Sequence, residues 1–210
     1  AELETRRVYT CSFSLRTETG RIERKQWSYM YLDGDRGVIA CTRRDVTDIY
    51  ASETDLVSGL YNRTGFCKAT RELLCQHPET EFFISRMDID HFKAYNDIYG
   101  KEAGDKLLAV VGDNYRRYAV QPTTFGRLEG DHFVACVPTR DMNVNGAVAT
   151  IAEALHREQP EFGFAVRCGV YVIKDRDIDV NIMCDRALMA LRSTKGRYDA
   201  GFACYEESMR

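Results

Sequence analysis

The feature that most constrains this chain is an apolar run that ends abruptly in two carboxylates. Residues 82–90 read FFISRMDID, so Asp88 and Asp90 are separated only by Ile89. Residues two apart in a β-strand point to the same face, which predicts that both carboxylates lie together at the carboxyl end of this strand.

The pattern after these carboxylates is helical. Phe92, Tyr95 and Tyr99 recur at helical spacing, and Asp90 is predicted to cap the N-terminus of the helix that they define. Gly100 is expected to end this helix. A second amphipathic helix is predicted over residues 104–118.

A second informative stretch, FGRLEGDHFVAC, lies at residues 125–136. Two apolar runs flank a polar tetrapeptide at residues 129–132, which predicts a tight hairpin with Asp131 at its tip. A strand-end Asp88 facing Asp131 suits a divalent cation, because Mg²⁺ takes oxygen ligands from one or two carboxylates together with phosphates.

The remaining pattern predicts one α+β domain behind a short β unit. Turn signals at Thr19-Gly20 and Asp33-Gly34 divide residues 1–45 into three strand candidates. A helical connector follows over residues 48–54. The other predicted elements are helices at 63–76, 145–158 and 179–194, and strands at 163–173 and 201–205.

Composition narrows the function classes. A chain of 210 residues with 44% hydrophobic content can bury one full core and a small second unit. Its net charge of −3 provides no basic field for nucleic acid. No apolar run approaches the roughly 20 residues that cross a membrane. The eight cysteines show no CxxC pairing, so we expect reduced core thiols in a cytoplasmic protein. The first residue is Ala, which suggests a fragment of a longer protein.

Three stretches resemble the GGDEF family, the diguanylate cyclase domains of bacterial cyclic-di-GMP signalling. They read DLVSGLYNRTGF at residues 55–66, DIDHFKAYNDIYGKEAGD at 88–105 and RLEGDHF at 127–133. The resemblance extends to about residue 205. It implies an α+β fold with a ferredoxin-like, palm-type mixed sheet flanked by helices, and the joining of two GTP molecules into cyclic-di-GMP with loss of pyrophosphate.

The resemblance also implies cofactors and partners. Family members use Mg²⁺, with Mn²⁺ as an alternative, and work as antiparallel homodimers in which each half-site holds one GTP. Many are followed by an EAL-type phosphodiesterase domain, which a longer parent protein would have to supply here.

Specific positions match the family's functional residues. The implied roles are metal binding by Asp88, the Ile89 carbonyl and Asp131; catalysis by Asp131 and His132; and substrate binding by Lys93, Asn96, Asp105, Gly130 and Arg192. Among these, Asn96 and Asp105 match the pair that reads guanine, while Lys93 and Arg192 match phosphate contacts, with a further basic contact at Gly196-Arg197. The open alternative is that the acids and Asn96 only cap helices.

The signature itself departs from the family pattern. Where the family has Gly-Gly-Asp/Glu-Glu-Phe, this chain has Glu129 in place of the first glycine and His132 in place of the second acid. The inhibitory RxxD product site is also absent, since its positions are Val120 and Thr123. We therefore expect a GTP-binding regulatory module with weak or no turnover. The alternatives are an active cyclase and a structural dimerisation module.

The N-terminal part suggests a sensor. RRDVTDIYASE at residues 43–53 resembles the exit of a PAS domain. The predicted organisation is therefore the C-terminal part of a PAS-like domain at residues 1–47, a linker at 48–54 and a GGDEF-like domain at 55–210. An unrelated β-meander is the alternative for the first segment.

Overall fold

A computed structural model of the chain describes residues 8–16, 22–33, 38–117, 120–194 and 201–209. The chain divides into two units, Ala1–Ser52 and Glu53–Arg210. The second unit thus begins two residues before the predicted start of the GGDEF-like domain.

The first unit contains an antiparallel meander in the order β1-β2-β3. Its elements are strands β1 (Val8–Arg16), β2 (Ile22–Asp33) and β3 (Val38–Asp45), followed by helix α1 (Thr47–Glu53). The three predicted strands and the helical connector are therefore confirmed. The PAS-like assignment of this unit stays a prediction.

The second unit alternates helices with the strands of a single sheet. Its elements are α2 (Arg63–Gln76), β4 (Phe82–Asp90), α3 (Phe92–Tyr99), α4 (Lys101–Arg117), β5 (Thr124–Glu129), β6 (His132–Pro138), α5 (Val144–Glu158), β7 (Ala165–Val172), α6 (Val180–Ser193) and β8 (Phe202–Cys204). This order matches the one predicted from the sequence.

The five-stranded sheet has the order β5-β6-β4-β7-β8 and is mixed, because β7 and β8 pair in parallel while the other pairs are antiparallel. Strand β4 lies at its centre, and Met87 pairs with Phe133 of the hairpin. The predicted α+β fold with a mixed central sheet flanked by helices is confirmed.

Strand β4 divides two apolar cores. Phe82 and Ile84 pack with Phe66 and Met183 on the side of α2 and α6, whereas Met87 and Ile89 pack on the side of α3, α4 and α5. Burying each such side chain contributes about 1.5–3 kcal/mol. Side chains alternate between the two faces of a strand, so Arg86, Asp88 and Asp90 all lie on the α6 side, at the carboxyl end of β4.

Side-chain caps define three helix starts. The carboxamides of Asn62 and Asn143 accept the backbone N–H of Gly65 and Gly146, at 3.0 and 3.1 Å, at the starts of α2 and α5. Asp179 accepts the backbone N–H of Asn181 at the start of α6. None of the helices in the described part of the chain has both the length and the apolar character that a membrane crossing requires.

The prediction that Asp90 caps helix α3 is wrong. Strand β4 continues through Asp90, which pairs with Ala165 of β7. His91 precedes α3 with φ of 67°, and its side chain makes no capping hydrogen bond. The carboxylate of Asp90 instead forms an ion pair with Arg167. Helix α4 also begins at Lys101, before the predicted residue 104.

The prediction of core cysteines is only partly correct. All eight cysteines lie in the described residues and are free thiols. Three of them, Cys136, Cys168 and Cys184, are buried, and burial raises the pKa of each thiol. Four are exposed, because they lie on the meander, at the end of α2 and on β8: Cys11, Cys41, Cys75 and Cys204.

Candidate functional site

The β5–β6 hairpin brings its turn against the end of β4. One ligand atom from each of Asp88, Asp131 and His132 lies within 4.8 Å of the other two. Nδ1 of His132 is 3.5 Å from Oδ1 of Asp88. The structure therefore brings together the predicted metal ligands Asp88 and Asp131 and the predicted catalytic residue His132.

Asp131 is held in a place that disfavours its charge. Burial is the main reason that the pKa of Asp131 rises to about 7, and a hydrogen bond with Asp88 and the charge of that carboxylate raise it further. The backbone N–H groups of Asp131 and Ile89 offset only part of this effect. A cation between the two carboxylates would remove the repulsion, so this pair fits a divalent ion.

His132 offers a neutral nitrogen to the same space. Burial lowers the pKa of His132, and the nearby Asp88 carboxylate opposes that effect only in part. Its Nδ1 atom is buried and has no hydrogen-bond partner among the described residues. A neutral imidazole can ligate transition metals such as Mn²⁺, which accept nitrogen more readily than Mg²⁺ does.

An arginine-lined cleft of about 220 Å³ adjoins this cluster. Arg86 lines it from β4 and is only 3% exposed, yet its Nε has no hydrogen-bond partner in the described part of the chain. Arg167 lines it from β7, where it is paired in register with Asp88; its Nη2 lies 3.7 Å from Asp88 Oδ2. The Nε of Arg167 is also buried and unpartnered. Unpartnered guanidinium N–H groups favour an anion such as phosphate.

Glu129 lies at the mouth of this cleft. Its Oε1 is 3.7 Å from Nη2 of Arg63 and 3.7 Å from Nη2 of Arg86. The glutamate side chain is 65% exposed. The negative charge that the sequence places at the first signature position is therefore partly offset by two arginines from α2 and β4.

The turn is fixed by a hydrogen-bonded link to the DLVSGLYNRTGF stretch. Gly130 has φ of 53°, a conformation that favours glycine. Arg127 donates from Nε to the Gly130 carbonyl oxygen at 2.7 Å and from Nη1 to both carboxylate oxygens of Asp55 at 2.9 and 3.0 Å. Burial of Asp55 is outweighed by hydrogen bonds from Ser58 and Arg127, which lower its pKa. Arg127 thereby holds the turn in place.

A second group of predicted residues lies where α3 meets α4. Asn96 is in α3 and Asp105 is in α4. The Oδ1 atom of Asn96 is buried, and no residue that the structure describes forms a hydrogen bond with it. A Cβ atom added at Gly104 would lie 1.8 Å from that oxygen, so the glycine provides the space for the Asn96 carboxamide.

The two predicted phosphate contacts are both exposed. Lys93 lies in the first turn of α3, and Arg192 lies near the end of α6. Arg192 lines the same cleft as Asp88 and His132. The further basic contact predicted at Gly196-Arg197 lies outside the described residues.

The sequence interpretation included Arg192 but not Arg86, Arg167 or the nearby Arg63. Arg86 precedes Asp88 by two residues, so strand alternation alone could have placed it on the same face. Arg167 and Arg63 had no such local signal. Their positions depend on the register between β4 and β7 and on the packing of α2.

The fold and this site define a palm-like α+β domain with a carboxylate and imidazole cluster at the end of its central strand. A family model described as the diguanylate cyclase GGDEF domain matches residues 52–199. The chain therefore belongs to the GGDEF family.

Curated relatives agree with this assignment. An uncharacterised 19.3 kDa protein of Streptomyces ambofaciens is 29% identical over 156 residues, which cover 72% of this chain and 82% of that protein. The diguanylate cyclase DgcP of Pseudomonas aeruginosa is 32% identical over 91 residues, which cover 42% of this chain but 14% of that protein. The chain spans 29% of YhcK of Bacillus subtilis. Several relatives are thus much longer than this chain.

Solved structures share the fold. The coiled coil and GGDEF domain of DgcB from Caulobacter crescentus, in complex with c-di-GMP, matches with a TM-score of 0.56 and 22% identity over 75% of this chain and 87% of that one. The S helix-GGDEF-EAL part of Vibrio cholerae LapD, bound to c-di-GMP, matches with a TM-score of 0.61 and 16% identity over 74% of this chain and 37% of that one. At these identities the likeness shows the fold.

Proposed function

We propose that this chain is a GTP-binding regulatory member of the GGDEF family that forms little or no cyclic-di-GMP. The observation that carries the proposal is the cluster of Asp88, Asp131 and His132, in which an imidazole takes the place of the second acid of the signature. The cluster keeps a set of metal ligands but has lost one negative charge.

The donor set would hold a divalent cation through the carboxylates of Asp88 and Asp131 and the imidazole of His132, with the Ile89 carbonyl as the implied fourth ligand. A bound cation would offset charge on the phosphates and on the attacking oxygen. Two carboxylates and one imidazole favour Mn²⁺ over Mg²⁺, because Mg²⁺ prefers oxygen ligands throughout.

Nucleotide binding is supported by polar groups that have no hydrogen-bond partner among the residues that the structure describes. The buried Oδ1 of Asn96 and the buried Nε atoms of Arg86 and Arg167 are unpartnered. Such groups cost stability unless a ligand or water satisfies them. The carboxamide and Asp105 suit the guanine edge, and the guanidinium groups suit phosphate.

Weak turnover follows from the electrostatics of the turn. His132 is neutral near pH 7 because burial lowers its pKa, so it adds no negative charge to the metal. Removing one group that stabilises developing charge typically slows a reaction about 10²–10³-fold. The chain's own residues can still bind and orient GTP, which is what a regulatory module requires.

An active cyclase is the second candidate, and one observation favours it. Arg63 and Arg86 flank Glu129 and offset its charge, so this carboxylate need not repel a nucleotide as strongly as the sequence alone suggests. A homodimer would be required in that case, because two GTP molecules must meet. We expect the regulatory form also to be a cytoplasmic homodimer that acts on a partner domain such as an EAL-type domain.

The test combines binding and product measurements on the whole chain. Calorimetric titration with GTP is run with Mn²⁺ and with Mg²⁺, and the same samples are then separated by chromatography for cyclic-di-GMP. We expect saturable GTP binding that is tighter with Mn²⁺, with ATP bound more weakly and no product formed. No GTP binding with either cation would overturn the proposal, and efficient product formation would establish the active cyclase instead.

A further inference from the structure

A cavity of about 160 Å³ lies on the other face of strand β4, between the sheet and helices α4 and α5. Small side chains at Ser85, Ala135 and Ala147 leave this space, and Met87 lies against it. Arg86 and Asp88 flank Met87 in sequence but line the cleft on the opposite face. The cavity is therefore separate from the candidate metal site.

The cavity is lined mainly by apolar side chains, together with Ser85, Asn143 and Thr150, and two of its acceptors have no hydrogen-bond donor among the described residues. Asn114 is 7% exposed, and its Nδ2 donates to the Val110 carbonyl at 2.8 Å, which fixes the orientation of the carboxamide. The Oδ1 of Asn114 is then left buried without a hydrogen-bond partner within residues 8–16, 22–33, 38–117, 120–194 and 201–209. Oδ2 of Asp141 is also buried without one, and the Nε of Arg140 lies 3.5 Å from it.

Unsatisfied buried acceptors in an apolar wall are costly, so such sites typically hold water or a ligand that supplies donors. An apolar pocket with a few convergent polar groups is the usual form of a small-molecule site. Tyr115 and Phe125 add aromatic faces to the lining. We propose that this cavity binds a small aromatic molecule that carries one N–H or O–H donor.

The proposal specifies how the ligand is held. The aromatic body lies against Met87 and Ala135, and its donor reaches Oδ1 of Asn114 or Oδ2 of Asp141. A ligand there would contact strand β4, which carries Arg86 and Asp88 on its other face. This inference does not depend on the nucleotide proposal.

Indole and indene are the test probes, because they share one shape and only indole has an N–H donor. Binding is followed through the methyl signals of ¹³C-labelled methionine and alanine in the whole chain. We expect indole to shift the signals of Met87 and Ala135 saturably, and to bind about tenfold more tightly than indene, as one hydrogen bond to a buried acceptor allows.

Matched variants separate this site from non-specific binding. Ala147 and Ala149 are both exposed on α5, but only Ala147 lines the cavity. Ala147→Phe should abolish indole binding, and Ala149→Phe should leave it unchanged. Asn114→Leu should reduce the affinity for indole to the affinity for indene. Asp88→Asn should leave the affinity for indole unchanged. Unsaturable shifts, equal affinity for the two probes, or unchanged binding by the folded Ala147→Phe chain would each overturn the proposal.

Discussion

The hairpin turn and the junction of α3 and α4 differ in how far they keep the family pattern. The turn has exchanged a glycine for Glu129 and an acid for His132, and its charges are now shared with arginines. The junction keeps Asn96 and Asp105, and Gly104 leaves space for the Asn96 carboxamide. The residues that we propose for base recognition therefore keep the family pattern, whereas the residues that we propose for chemistry depart from it.

The largest effect expected from this contrast is restored turnover. The double change Glu129→Gly with His132→Glu returns the missing carboxylate and frees Arg86 for phosphate. We expect cyclic-di-GMP formation to rise about 10²-fold or more, because one electrostatic group at the reacting centre is typically worth that much. Product is measured by chromatography at equal protein and GTP concentrations.

A matched control keeps this result interpretable. Asp88→Asn added to the restored chain should abolish the gain, since it removes a predicted metal ligand. If the natural chain already makes product at a high rate that restoration leaves unchanged, the contrast between the two regions is wrong.

The junction is tested by base preference. Asn96→Ala or Asp105→Ala should reduce the preference for GTP over ATP by about tenfold, because each removes one hydrogen-bonding group from a partly buried site. Lys93→Ala serves as the control, since a phosphate contact should weaken GTP and ATP alike. Equal affinities for GTP and ATP in the unmutated chain would remove the guanine assignment.

A smaller effect is expected at Gly104. Its added Cβ would lie 1.8 Å from Oδ1 of Asn96, so Gly104→Ala should displace the carboxamide and reduce the GTP preference less than Asn96→Ala does. Gly163→Ala is the matched control, because an added Cβ there meets no atom within 4 Å. Calorimetric titration of both variants with GTP and ATP measures the difference. An unchanged preference in Gly104→Ala would show that Asn96 does not read the base.

The smallest effect is a pH-dependent change in melting temperature. The pKa of Asp131 is raised to about 7 in the folded chain, so the folded state holds this proton more tightly than the unfolded state. The metal-free protein should therefore lose stability as pH rises from about 4 through 7. In the presence of a chelator at pH 8, the Asp131→Asn variant should have a higher melting temperature than the parent chain. This difference in melting temperature should become smaller toward pH 5.

His132 has the opposite effect on the stability of the folded state. Because its pKa is lowered on folding, its contribution to stability increases as pH rises. The Asp131 comparison is therefore repeated in a His132→Ala background, where the pH 8 gap should persist. Added Mn²⁺ should reverse the order of the parent and Asp131→Asn chains. A gap that does not change with pH would show that Asp131 is not protonated near neutrality.

Much of the fold could be predicted from the sequence because its signals are local. The apolar run that begins at residue 82, Gly100 at the end of α3 and the polar tetrapeptide of the hairpin turn each act within a few residues. The end of β4 was predicted wrongly. Aspartate is a residue type that often caps helices, but Asp90 belongs to the strand and pairs with β7.

The sequence by itself determined the order of strands and helices and the family to which the chain belongs. It also predicted that Asp88 and the hairpin residue Asp131 lie close together. Only the tertiary structure decided how the charges are balanced. Arg86 and Arg63 reach Glu129 from different elements, and Arg167 reaches Asp88 across a strand register that no local pattern specifies. Local patterns act through neighbouring residues, whereas the burial and the nearby charges that shift the pKa values of Asp131 and His132 depend on contacts between residues distant in sequence.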